Sequence, residues 1–168
     1  VISNADSGPG SLRDIIQLAA ANGTTSYDTI LFNLPGSTVL DKTITINGSM
    51  PLSGKLVIDG TSQPGSAFGV TDARVIIKRG AFMCAGLTMT SISDVEIYGI
   101  WFKNFDYVFS LNECHQHAIL MNEITRVTIG KLNKGNAFTN HHTTSIRHKS
   151  YFNNIFQPTA FAETVNIE

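Results

Sequence analysis

Hydrophobic positions recur at helical spacing near the start of the chain and at strand spacing almost everywhere after it. From Leu12 the apolar residues fall at Ile15, Ile16, Ala19 and Ala20, the i, i+3, i+4, i+7, i+8 stripe of one helix face. Ser11 precedes the stripe, and its hydroxyl can accept from a backbone N–H of the first turn. Asp14 places a negative charge near the positive helix end and takes the Glu position of a capping box. Asn22 and Gly23 suit the far end. The pattern predicts a helix over 11–21, after an extended lead and a Ser-Gly-Pro-Gly turn, with Ser11, Leu12, Ile15 and Ile16 as capping residues.

Short strand-like runs follow, punctuated by Gly, Pro, Asn, Asp and Ser. They are Asp28–Gly36, Thr38–Ser49, Lys55–Gly60, Ala73–Gly80, Gly86–Thr90, Asp94–Phe102, Tyr107–Leu111, Ala118–Asn122, Arg126–Gly130, Ser145–Phe152 and Thr164–Glu168. Runs of this kind suit a sandwich, a barrel or a solenoid. A repeat favours the last. Val57 and Val75 are 18 positions apart, Val75 and Val95 are 20, Val127 and Ile146 are 19, and Ile146 and Val165 are 19. Three segments, Val95–Phe105, Val127–Phe138 and Ile146–Phe156, each begin with a strand and end with Asn and then Phe. A repeat near 20 residues made of strands and turns predicts a parallel β-helix. Phe105, Phe138 and Phe156 would stack inside it, with Asn104, Asn136 and Asn154 at left-handed bends. The helix would cover the open N-terminal end of the array.

The stretches Asp6–Ile16, Asp28–Pro35 and Ile58–Gly65 (DSGPGSLRDII, DTILFNLP and IDGTSQPG) resemble the N-terminal region of secreted bacterial proteins built on the right-handed parallel β-helix of the pectate-lyase-like superfamily. Position 15 is Ile where that family usually has Ala. The resemblance covers about the first 65 residues of the chain and implies an all-β, right-handed parallel β-helix with an N-terminal capping helix. It implies a cap over 1–27 and β-helix turns over 28–168. Thr164–Glu168 reads as the middle of a strand, so further turns or another protein are expected at the C-terminal end. The resemblance also implies an extracellular or cell-surface location. Such modules occur in adhesins and in polysaccharide-degrading enzymes, and fold does not choose between them.

Enzymes of this fold use clustered or paired acids with basic residues that hold the sugar carboxylate. No Asp-Asp step and no Gly-His-Gly step occurs here. Asp59, Asp72, Asp94 and Asp106 are scattered at turns, where Asp bonds the local backbone. Arg147 and Lys149 lie two apart and share a strand face. With Lys78 on a similar face they could hold an acidic sugar, or form an ordinary solvated face. Tyr98 and Trp101 are candidates for stacking on sugars. Trp101 and Phe102 are adjacent and must point to opposite sides, and Trp101 is expected in the core. His115, His117, His141, His142 and His148 could meet at a transition metal if turns stack, but loop histidines are the plainer account. Cys84 and Cys114 lack metal-ligand spacing and read as small buried apolar residues, or as a disulfide.

Composition narrows the classes. A net charge of -1 over 168 residues gives no field for nucleic acid or anionic membrane. No apolar run is long enough to span a bilayer, and no signal peptide is visible. No cofactor is expected. The chain is expected to be a non-catalytic, structural or adhesive surface module whose partner is a polysaccharide or other cell-surface glycan. The alternative is the N-terminal part of a polysaccharide lyase or glycoside hydrolase.

Overall fold

The computed structural model describes residues 1–68, 72–82, 85–105, 107–112, 117–120, 123–125, 138–141, 148–151 and 154–156. Among them the chain forms one α-helix, α1 (Leu12–Asn22), ahead of short strands. These are β1 (Asp28–Leu31), β2 (Thr43–Ile46), β3 (Met50–Pro51), β4 (Leu56–Asp59), β5 (Val75–Arg79), β6 (Ala85–Thr90) and β7 (Val95–Tyr98). They continue with β8 (Ile100–Lys103), β9 (Tyr107–Asn112), β10 (His117–Leu120), β11 (Glu123–Thr125), β12 (Phe138–His141), β13 (His148–Tyr151) and β14 (Asn154–Phe156). The all-β class with an N-terminal helix is as the residue pattern predicts.

The strand pairings are parallel. One sheet runs β1-β4-β7-β10-β13, a second β2-β5-β8-β11-β14, and a third β3-β6-β9-β12. The chain visits the three sheets in rotation, so each strand's neighbour lies three strands away. Alternation decides which side chains turn inward. Leu56 and Ile58 of β4 are buried while Val57 and Asp59 are half-buried, and β7 repeats the pattern. Register carries it from strand to strand. Ile30 pairs with Ile58 and Ile58 with Ile97 in the first sheet. Ile44, Ile77 and Phe102 do the same in the second, and Met50, Leu87 and Phe109 in the third. All nine belong to the core, and each such burial is worth about 1.5–3 kcal/mol relative to exposure. Phe102 meets Phe109 edge-on at 5.1 Å and Phe105 at 6.3 Å between ring centroids.

The helix is tied to this core at both its cap and its side. The Asp14 N–H donates to Ser11 Oγ (3.2 Å), and the Asp14 carboxylate accepts from the Gly10 N–H (2.8 Å). Leu12, Ile16 and Ala19 are buried, and Ile15 packs against the core from its edge. Ala20 is exposed, so the apolar stripe is narrower than its spacing predicts. Arg13 donates to the carbonyls of Gly48 (2.9 Å) and Ser49 (3.0 Å) and pairs with Asp6 (2.8 Å). Partial burial of Asp6 works against its charge. Hydrogen bonds from Arg13 and Asn47 outweigh that and hold its carboxyl below the usual range.

The IDGTSQPG stretch forms a corner. Asp59 accepts from the N–H (2.9 Å) and hydroxyl (2.5 Å) of Thr61, closing a short 3-10 turn. Ser62 Oγ accepts from the Phe32 N–H (2.9 Å). Gln63 is fully buried, and its Oε1 accepts from the Leu34 N–H (2.7 Å). The Leu34 carbonyl accepts from the buried Lys42 Nζ (2.5 Å) and from Gln63 Nε2 (3.4 Å). Gly60 stands against Gly99 of the neighbouring corner, where a Cβ would overlap the Gly99 carbonyl oxygen. Gly99 has φ 59° and breaks the run Asp94–Phe102 into β7 and β8, which enter different sheets.

That break exposes an error in the predicted repeat. Strands β4 and β5, whose Val57 and Val75 are 18 positions apart, belong to different sheets. True partners are farther apart. Leu56 pairs with Val95, 39 positions on, and Ile97 with Ile119, 22 positions on. The aromatic stack is also out of register. Phe138 pairs with Phe109, and Phe156 pairs with Thr125, which pairs with Lys103. Asn104 does take a left-handed bend (φ 63°), but Asn154 lies in β14. Asn-Phe similarity misaligned the strands because register follows the inward apolar positions. The run Thr38–Ser49 is strand only from Thr43. Before it, Asp41 accepts from the N–H groups of Ser37 (3.1 Å) and Thr38 (2.8 Å) and builds a turn. Strand runs Arg126–Gly130 and Thr164–Glu168, along with Asn136, Cys84 and Cys114, lie outside the described residues.

Two substitutions test this architecture by urea denaturation. Gly60→Ala should destabilise by about 1–3 kcal/mol, because the overlap falls on backbone. Ser11→Ala should lose about 1 kcal/mol through the helix cap. Unchanged midpoints would contradict the corner stacking and the cap.

Candidate functional site

Outward positions of the strands make three faces. On the second sheet, Trp101 and Lys103 stand two apart on β8 and are both half-buried, while Phe102 between them is buried. Core packing for Trp101 is therefore corrected: Phe102 takes the interior, and the indole lies on the outer side. Lys103 Nζ sits 3.3 Å from the Trp101 ring centroid, a cation–π contact. Lys78 of β5 is exposed and is the register partner of Lys103. Thr45 of β2 pairs with Lys78 on the other side. Arg79 turns to the corner, where its Nε donates to the Asn104 carbonyl (2.6 Å). Residue patterning singles out Lys78 and Trp101 but misses Lys103. The signal is there: Lys103 has the i, i+2 spacing from Trp101 that places both on one strand face.

The first sheet presents an acidic and phenolic face. Glu96 and Tyr98 share the outer side of β7, and the Tyr98 hydroxyl donates to the Glu96 carboxylate. Asp59 is the register partner of Tyr98. Burial, then the Glu96 hydrogen bond and charge, then the Asp59 charge, push the Tyr98 phenol up to about 12. Tyr27, about half exposed at 52 %, is also raised, by local desolvation and by the charges of Asp94 and Glu96. On the third sheet Thr88 is half-buried and Thr90 exposed.

The expected grouping of Arg147, Lys149 and Lys78 does not form around Lys78. Lys149 belongs to the first sheet, where its partner is Ala118 and the next is Glu96. Lys78 belongs to the second. Arg147 lies outside the described residues. Tyr98 and Trp101, close in sequence, are likewise divided between two sheets by the Gly99 corner.

Among the described residues no group of three or more His, Cys, Asp or Glu could hold a metal ion. The register does pair His117 with His148 and His141 with Asn112, while His115 and His142 lie outside the described residues. Five of the described carboxylates have structural partners. Asp6, Asp14, Asp41 and Asp59 accept backbone N–H groups, and Glu96 holds Tyr98. No described helix is long and apolar enough to cross a membrane. No family model, no curated protein and no solved structure matches the chain.

The Tyr98–Glu96 contact has a measurable consequence. The folded phenol keeps its proton above the ordinary value of 10.0, so its stabilising contribution is whole below pH 10. That contribution is lost as pH rises through about 12. Phenolate absorbance during titration should show one tyrosine ionising near pH 12 that vanishes in Tyr98→Phe. Glu96→Gln should lower its midpoint. Tyrosines that all titrate near 10 would rule the contact out.

Proposed function

We propose that the chain is a right-handed parallel β-helix module of a bacterial cell-surface or secreted protein, with a structural and adhesive role and carbohydrate as its ligand. The carrying observation is the rotation of the chain through three in-register parallel sheets. Such a rotation winds a continuous backbone around one apolar core. Parallel strands joined by crossovers are right-handed in nearly every known case, which supports the handedness. The product is a stiff body with flat outer faces, suited to spacing and display rather than to enclosing a substrate.

The stretches that resemble secreted bacterial β-helix proteins have structural work here. Arg13 and Asp6 fasten the helix to the turn after β2. Asp59 closes one corner, and Ser62 and Gln63 fasten that corner to the strand extension beside it. Those contacts support a common architecture. The outward Trp101, Tyr98 and Tyr27 support a glycan ligand, because aromatic rings stack on sugar faces and neighbouring polar groups bond the hydroxyls.

A panel of uronate and neutral polysaccharides, read for both cleavage and retention, tests the function. Retention without cleavage is the expected result. Turnover by this chain would replace the module with an enzyme of the lyase or hydrolase kind.

A further inference from the structure

The chain holds Asn-Gly steps at Asn22-Gly23 and at Asn47-Gly48. In such a step the glycine nitrogen can approach the asparagine side chain freely, because glycine has no Cβ to hinder it. The fold treats the two steps differently. Asn47 reaches across to the next circuit, where its Oδ1 accepts from the Ala81 N–H (3.3 Å) and fills the space a Cβ on Gly80 would need. Its own N–H donates to Asp6 (3.3 Å), and the Gly48 carbonyl accepts from Arg13 (2.9 Å). The side chain and the backbone around that peptide bond are therefore tied to other parts of the fold. Asn22 is the last residue of α1, and Asn22, Gly23 and Thr24 are all exposed. The Gly23 N–H donates to the Ala20 carbonyl at 3.3 Å, within a helix end of the kind that frays. The Asn22 amide donates to the Asp28 carboxylate (3.1 Å) at the surface.

We infer that Asn22 is a site of spontaneous deamidation in the folded chain, and that Asn47 is kept from the same reaction by its contacts with Ala81 and Asp6. When the last turn of α1 frays, the Gly23 nitrogen bonds to Asn22 Cγ and gives up its proton. The Cγ–Nδ2 bond breaks, and the amide nitrogen leaves with that proton as ammonia. The product is a five-membered succinimide. Water then opens the ring at one of its two carbonyls, which leaves either aspartate or isoaspartate at position 22. Water is the only co-reactant, so the reaction needs no enzyme and does not depend on the ligand proposed above. Its product replaces the amide that donates to Asp28 with a second carboxylate, so a hydrogen bond becomes a like-charge contact. The new charge also stands at the negative end of α1, whose last turn carries no basic residue. Deamidation therefore loosens the junction between the capping helix and β1.

The full chain is held in mildly alkaline buffer, once folded and once in concentrated urea, and its peptides are followed by mass spectrometry. Isoaspartate is counted by enzymatic methylation. In the folded chain, the peptide with Asn22 should convert from amide to acid severalfold faster than the peptide with Asn47. In urea the Asn47 rate should rise to near that of Asn22, because the contacts that protect it are lost. Asn22→Gln should remove most of the isoaspartate formed by the folded chain, since the longer side chain closes a ring far more slowly. Asn22→Asp should melt below the parent, and added salt should narrow the gap. No conversion at Asn22 in the folded chain, or equal rates at the two steps, overturns the site. An Asn47 rate that urea leaves unchanged overturns its protection by the fold. An Asn22→Asp midpoint at or above that of the parent overturns the loosening of the α1–β1 junction.

Discussion

In each of the three sheets described, a column of inward side chains stands beside the inward side chains of the next strand. Ile30, Ile58 and Ile97 do so in the first sheet, Ile44, Ile77 and Phe102 in the second, and Met50, Leu87 and Phe109 in the third. A slip of one residue would turn a whole strand's apolar set outward. Register is therefore the constraint that the rest of the structure serves. It permits large differences between one circuit and the next, because loops of any length can leave the sheets provided the strands return in phase. That is why strand partners lie 22 positions apart in one place and 39 in another.

Keeping phase falls to the corners, and they are built from specific polar contacts. Gln63 is buried without charge and holds both the N–H and the carbonyl of Leu34, where a protein interior would otherwise leave backbone groups unpaired. The same carbonyl takes the buried Lys42 ammonium. Left-handed residues recur at equivalent places. Lys55 (φ 53°) precedes β4 and Asp94 (φ 60°) precedes β7, so that neighbouring strands of the first sheet begin from matching bends. At the start of the stack, Arg13 donates to carbonyls of the turn after β2 and so joins the capping helix to the second sheet's edge.

Outward positions are released from this constraint, and there the faces diverge in chemistry. The first sheet gathers Asp59, Glu96 and Tyr98, while the second gathers Lys78, Lys103 and Trp101. The opposition is local, since the total charge nearly cancels.

The linear pattern of residues was enough for the helix, its Ser11 cap, its end near Asn22 and most of the strand positions. These depend on neighbours within a turn or on two-residue alternation, and such information is local. It was also enough to place Lys78 and Tyr98 among outward candidates. What it could not supply was the partner of each strand. Val57 and Val75 look equivalent in sequence yet enter different sheets, because a three-sheet circuit returns only at every third strand. For the same reason Lys149 and Lys78 were wrongly grouped, Tyr98 and Trp101 were separated, and Lys103 was overlooked until Lys78 stood beside it. Burial of Phe102 rather than Trp101 was likewise decided in three dimensions. Alternation forces the two to opposite sides, but only packing against Phe105 and Phe109 selects which one goes in.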